Sequence, residues 1–169
     1  SDPSIESLRS LRTSLQFAML ESPNNRVLIT GPAPGVGKSF ISSNLAAVLA
    51  AGGKRILLID ADMRKGYLNQ FFGIARDKGL SDVIAGSIEF KTAVHENVLP
   101  GMDFLATGTL PPNPAELLMS DSFKKLMEKT SSNYDMVIVD TPPVLVAADA
   151  IATAQTAGIV LLIARSEIT

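Results

Sequence analysis

The chain has no cysteine, no tryptophan and only two tyrosines. Without thiols there is neither a disulfide framework nor a thiolate zinc site, as fits a reducing compartment. With aromatic residues at 5%, the core has to be built from Leu, Ile, Val, Ala and Met. No excess of one charge is present. Fifteen Lys and Arg stand against 17 Asp and Glu, a net charge of −2, which argues against a broad nucleic-acid surface and for no nucleic-acid partner. Long apolar runs are missing too. The longest, Ala157 to Ala164 with Gly158 inside it, is far too short to cross a bilayer. No signal peptide opens the chain, so an anchor in a membrane-bound protein would lie outside this sequence. Neither an internal repeat nor a low-complexity tract is present. What is there, 169 residues at 46% hydrophobic and 19% charged, suits one globular domain with a single sizeable core.

Four apolar runs read as buried parallel strands, because they are continuous rather than alternating. They are Val27–Thr30, Ile56–Ile59, Met136–Val139 and Ile159–Ala164, with Met102–Ala106 as a weaker fifth. Helical stretches lie between them. Lys38–Ala51 carries Ile41, Leu45, Val48 and Leu49 at helical spacing and stops at Gly52-Gly53. Asn113-Pro114-Ala115-Glu116 offers an N-cap, a first-turn proline and a capping-box glutamate. Ile5–Leu20 reads as a separate amphipathic helix ahead of the first strand. Strands alternating with helices predict an α/β domain, a mostly parallel sheet covered on both faces.

The first strand runs into Gly31-Pro32-Ala33-Pro34-Gly35-Val36-Gly37-Lys38-Ser39 and then a helix. Glycines there let backbone N–H groups cradle phosphate oxygens, and the helix N-terminus adds partial positive charge. Lys38 reaches the outer phosphates, and the Ser39 hydroxyl ligates Mg²⁺. Residues 34–40, ending on Phe40, form the expected nucleotide-binding segment. One departure stands out, since the usual G-x-x-x-x-G-K-[ST] pattern wants glycine where Pro32 stands.

Two further strands end in acids. Ile56-Leu57-Leu58-Ile59 leads into Asp60-Ala61-Asp62-Met63-Arg64, and Val137-Ile138-Val139 leads into Asp140. Strand alternation would send Asp60 and Asp62 to one side. At the carboxyl end of a parallel sheet they face the crevice where ligands bind. A triphosphate with Mg²⁺ needs carboxylates for the metal or its waters, and a hydroxyl nucleophile needs a positioned base. The plainer reading is that Asp60 caps a turn and Asp140 caps the following helix.

These residues resemble the bacterial tyrosine autokinases that control capsule and exopolysaccharide assembly. That family looks like a P-loop NTPase related to the partitioning ATPases, with a Walker A loop, a Walker A′ strand of the form apolar-run-D-x-D-x-R, and a Walker B strand. Here they correspond to Pro34–Ser39, to Ile56–Arg64 and to Val137–Asp140. The family's loop reads T-S/G-x-x-P-G-x-G-K-S/T, which makes Pro32 unsurprising. Leu110-Pro111-Pro112-Asn113-Pro114-Ala115-Glu116-Leu117-Leu118 is similar to its P-P-N-P-x-E-L-L element.

The resemblance implies ATP and Mg²⁺ as cofactors and phosphoryl transfer to tyrosine. Lys38, Asp60, Asp62 and Asp140 would be catalytic, and Arg64 nucleotide-binding. Ser39, Asp62 and Asp140 would hold the metal. Asp60 would act as base or orienter, with Asp60 and Asp62 able to exchange roles. Glu6, Arg9 and Arg12 resemble the family's E-x-x-R-x-x-R motif, which implies a ring-type homo-oligomer such as an octamer. An internal Glu6–Arg9 pair is the local alternative. On that reading residues 1–22 form an oligomerisation helix and 23–169 the nucleotide-binding core of a single kinase domain. Ile5, Leu8, Leu11 and Leu15 would dock the helix and leave the charges outward.

Tyr67, just after Arg64 and Lys65, stands where the family carries an internal phosphorylated switch; a half-buried packing role is the alternative. Tyr134 reads as a packing residue and His95 as a surface histidine without a partner. The implied partners are a membrane-spanning co-polymerase segment outside this chain and a cognate tyrosine phosphatase. The implied location is the cytoplasmic face of the bacterial inner membrane. After a strand like the last one here, the family continues with a helix, a strand bearing its adenine-binding asparagine, and a tyrosine-rich tail. The partitioning and division-site ATPases share the fold but carry a second lysine early in the loop, where this chain has Ala33. A nucleotide-dependent assembly module is the remaining alternative.

Overall fold

A computed structural model describes residues 3–31, 36–141 and 157–162. Among these, strands β1 (Arg26–Thr30), β2 (Ile56–Asp60), β3 (His95–Leu99), β4 (Met102–Leu105), β5 (Met136–Asp140) and β6 (Ile159–Leu162) form one sheet in the order β3-β4-β2-β5-β1-β6. All neighbouring pairs are parallel except β3 with β4, which are antiparallel. The four continuous apolar runs and the weaker fifth are therefore the five parallel strands.

Their continuity has a simple cause. Val27, Ile29, Ile56, Leu58, Phe104 and Ile138 point into one buried cluster, and Leu28, Leu57, Ile59, Leu105, Val137 and Val139 into the other. Successive side chains leave a strand on opposite faces, so a sheet covered on both has no polar positions to spare. The first cluster is closed by α1 (Pro3–Glu21) and α2 (Val36–Ala51), through Leu15, Leu45 and Leu49. The second is closed by α4 (Leu80–Ile84), α6 (Pro114–Leu118) and α7 (Asp121–Asn133), through Leu80, Leu118 and Phe123. Two shorter helices, α3 (Leu68–Phe71) and α5 (Phe90–Ala93), complete the described set.

α2 stops at the expected glycines. Gly53 adopts φ 93° and its N–H bonds the Ala50 carbonyl, a left-handed ending that suits glycine. The capping expected at Asn113 takes another form. Pro114 does open α6, but the Asn113 side chain makes no cap bond; its Nδ2 donates instead to Glu116 Oε2 at 3.0 Å. With both side chains engaged by each other, neither reaches a backbone N–H. A Ser120 cap on the Phe123 N–H then starts α7.

β3 was not anticipated, and His95 is accordingly not a free surface residue: it is half-buried at the strand's start, opposite Phe104. The strand is an irregular edge in which Asn97 takes φ 50°. Its exposed Glu96 and Asn97 hide the apolar signal that marks the central strands.

The end of the sheet where the parallel strands begin is tied by polar side chains. Asn25 Nδ2 donates to the carbonyls of Ser131 at 2.9 Å and Tyr134 at 2.8 Å, capping the C-terminus of α7. Tyr134 packs its ring under Arg55 and donates its hydroxyl to Asp103 Oδ2 at 2.5 Å. Burial and the Asp103 carboxylate both push the Tyr134 phenol well above its ordinary pKa.

On α1, Leu8 and Leu15 are buried, with Leu11 and Met19 packed against the core. Glu6 and Arg9 are exposed, as expected. Arg12 departs from expectation: it is half-buried, and its Nε has no hydrogen-bond partner. Four residues after Leu8 and three before Leu15, it sits at the margin of the docking face. No helix among the described residues is long and apolar enough to cross a membrane.

Candidate nucleotide site

The carboxyl ends of β1, β5 and β2 lie side by side, and each carries a residue of the expected site. Ile29 of β1 is in register with Asp140 of β5, and Asp140 with Asp60 of β2. β1 therefore delivers Thr30 and Gly31, where the phosphate loop begins, next to the acids. Thr141, just past β5, closes the gap: its N–H and hydroxyl both donate to the Ile29 carbonyl, at 3.0 and 2.8 Å. Pro34 and Gly35 lie outside the described residues, as do the side chains of Val36 and Lys38. The backbone of Val36, Gly37 and Lys38 forms the first turn of α2, so the helix N-terminus does follow the loop. Ser39 is half-buried in that turn, and Phe40 is exposed beside it.

Asp60 is fully buried, at 0% exposure. Oδ1 accepts the Asp62 N–H at 3.1 Å, and Oδ2 accepts the Leu68 N–H at 3.2 Å. The carboxylate thus organises the segment after β2, the capping role given as the plainer reading. Strand alternation is not what brings Asp62 beside it, because β2 ends at Asp60. Asp62 belongs to a tight turn in which its Oδ1 accepts the Lys65 N–H at 3.1 Å and its carbonyl accepts the Gly66 N–H at 2.6 Å. Gly66 is there for want of room: a Cβ would stand 2.5 Å from Asp60 Oδ1 and from the Asp62 carbonyl oxygen. Asp62 is 9% exposed, Arg64 and Lys65 lie outward, and Tyr67 is 56% exposed at the start of α3.

Electrostatics set the two strand-end acids against each other. Burial raises the Asp60 pKa well above the ordinary carboxylate range, and the Asp140 charge raises it further; the amides of Asp62 and Leu68 only partly oppose this. A cation nearby would relieve the repulsion. Among the described residues no group of three or more His, Cys, Asp or Glu is arranged to hold a metal alone. Mg²⁺ takes one or two carboxylates and keeps the rest of its shell for phosphates and water. Ser39 and the oxygen-only acids have the right chemistry for such sharing.

A family model described as "AAA domain" matches residues 27–167. The protein named EpsB of Ralstonia solanacearum is 60% identical over 166 residues, 98% of this chain. The chain spans only 22% of that relative's length. The kinase domain of Escherichia coli tyrosine kinase ETK superposes with a TM-score of 0.94 at 44% identity, over 100% of this chain and 66% of that one. The septum site-determining protein MinD from Pyrococcus horikoshii has a TM-score of 0.69 at 20% identity, covering 82% of this chain and 57% of its own, a likeness of fold alone. The sheet order, the acids in register beside the end of β1 and these relatives agree: the chain belongs to the AAA domain family and, within it, to the bacterial tyrosine kinases.

Proposed function

We propose that this chain is the ATP-binding kinase domain of a longer membrane-associated protein, and that it transfers the γ-phosphoryl group of ATP to tyrosine hydroxyls. The observation that carries the reading is the registered row of Ile29, Asp140 and Asp60, which sets two carboxylates and the Asp62 turn beside the start of the phosphate loop. Lys38 and the loop amides at 34–39 hold the outer phosphates, and Ser39, Asp62 and Asp140 hold Mg²⁺ directly or through water. Mg²⁺ held there would supply neutralisation of the phosphate charge. Arg64 lies outward on the turn and reaches the nucleotide or the incoming group.

Asp60, with both oxygens engaged by backbone N–H groups, orients Asp62 rather than meeting substrate. Of the two tyrosines, Tyr67 suits an acceptor, being exposed beside Arg64 and Lys65. The Tyr134 hydroxyl is committed to Asp103 at the far end of the sheet. Assembly into a ring through Glu6, Arg9 and Arg12 belongs to the same proposal. So do action in exopolysaccharide or capsule export at the inner membrane's cytoplasmic face, and reversal by a phosphatase.

Incubation with γ-labelled ATP and Mg²⁺ tests the chemistry. Label on Tyr67 is expected, with Tyr134 unlabelled, and Lys38→Met should lose on the order of 10²–10³ in rate. Free phosphate without phosphotyrosine would instead assign an ATPase switch. Neither product, with ATP-dependent oligomers, would assign an assembly module.

A further inference from the structure

The turn that carries Asp62 has a second tether that the chemistry above does not use. Arg76 lies in the loop between α3 and α4, where Ala75, Asp77 and Lys78 are all exposed. Arg76 is half-buried, and its guanidinium reaches across two loops. Nη2 donates to the Met63 carbonyl at 2.6 Å, and Nε donates to the Gly108 carbonyl at 3.3 Å. The Arg76 carbonyl in turn accepts the Gly108 N–H at 2.8 Å.

Gly108 belongs to a fixed support. It adopts φ 88°, and Asp82 Oδ2 accepts the N–H groups of Gly79 and Thr109 on either side, each at 3.0 Å. The Leu80 and Ser81 N–H groups bond the carbonyls of Ala106 and Thr107, and Ser81 Oγ donates to the Thr109 carbonyl. The loop leaving β4 is thereby locked onto the start of α4. Arg76 joins that locked loop to the residue between Asp62 and Arg64.

We propose that Arg76 is a positioning residue for the metal-binding turn. Asp60 holds the turn from inside through the Asp62 N–H, and Arg76 holds it from outside through the Met63 carbonyl. Between the two, the Asp62 carboxylate keeps its place when no cation is bound. A charged donor with two N–H bonds to two carbonyls fixes direction as well as distance. Outer partners of metal ligands of this kind tune metal affinity without touching the metal. The proposal rests on the reading of Asp62 as a Mg²⁺ ligand.

The test is titration of MgCl₂ against binding of a fluorescent ADP analogue, which needs no phosphoryl transfer. Arg76→Ala should raise the half-saturating Mg²⁺ concentration about tenfold and leave the Mg²⁺-free affinity unchanged. Arg76→Lys, able to reach only one of the two carbonyls, should fall between. Asn25→Ala, at the opposite end of the sheet, controls for general destabilisation and should leave the Mg²⁺ dependence alone. Wild-type Mg²⁺ dependence in Arg76→Ala would overturn the proposal, as would an equal shift in Asn25→Ala. If Arg76→Ala does not fold, wild-type behaviour of Arg76→Lys overturns it instead. Absence of any Mg²⁺ dependence in the wild type would remove the underlying metal-site reading, which is a separate outcome.

Discussion

Replacing Gly66 with alanine is expected to destabilise the protein by about 3 kcal/mol, the upper end of the cost of inserting a methyl into a filled space. For a chain of this size that is a fall of roughly 6–12 °C in Tm. The new Cβ would press on Asp60 Oδ1 and the Asp62 carbonyl oxygen, each 2.5 Å away. Neither can move cheaply. Both Asp60 oxygens accept backbone N–H groups, and the Asp62 carbonyl holds the Gly66 N–H. Relief has to come from lifting the turn away from β2, which takes Asp62 with it. Mg²⁺-dependent nucleotide binding should therefore weaken along with stability. Thermal melting and nucleotide titration on one sample check both, and an unchanged Tm would show that the turn is not packed as described.

The second large effect is expected at Asp62. Its carboxylate accepts only the Lys65 N–H as a hydrogen bond among those described, and it is less enclosed than Asp60. Asp62→Ala should cost little stability, on the order of 1 kcal/mol for one lost hydrogen bond. It should nevertheless reduce phosphoryl transfer by about 10²–10³, the scale for removing one electrostatic contact to a transferring group. A melting curve near the wild type together with a strongly reduced label on tyrosine would separate this variant from Gly66→Ala. Equal losses of stability in the two would make Asp62 a structural residue.

How far the sequence carried depends on burial. The five parallel strands were legible because their residues are apolar on both faces, and the passage from β1 to α2 because strand, glycines and helix come in a fixed order. β3 was not legible. At the sheet edge, with Glu96 and Asn97 exposed and a positive φ at Asn97, it lacks both the continuous apolar run and the alternation that mark a strand. The helices α3, α4 and α5, four or five residues each, are too short for a helical period to show.

At the candidate site, the pattern D-x-D drew attention to Asp60 and Asp62 for a strand-end placement that holds for only one of them. Asp60 ends β2, but Asp62 lies beyond it and is placed by hydrogen bonds, which residue spacing does not reveal. Gly66 and Arg76 were missed outright. A glycine required by space rather than by φ carries no turn signature, and an arginine between Ala75 and Asp77 reads as part of a solvated loop. Arg76 bonds Met63 and Gly108, 13 and 32 positions away, and Gly66 is crowded by Asp60 and Asp62 once the turn has closed, so neither signal exists before the chain has folded.

The raised pKa of Asp60 also has a direction that can be measured. In the metal-free protein Asp60 stays protonated above the ordinary carboxylate range, whereas in the unfolded chain it ionises within it. The folded state therefore binds the extra proton across that window, and stability falls as pH rises through it, then levels off above the raised value. A cation beside Asp60 and Asp140 favours the ionised form, so Mg²⁺-nucleotide binding at a pH below the raised Asp60 value should expel that proton. Calorimetry of ADP binding with and without Mg²⁺, in two buffers of different ionisation enthalpy, tests directly whether the acids and the phosphate loop form one site. The expected result is tighter binding with Mg²⁺ and a heat that depends on the buffer below the raised Asp60 value but not above it. An affinity indifferent to Mg²⁺, with the same heat in both buffers, would contradict it.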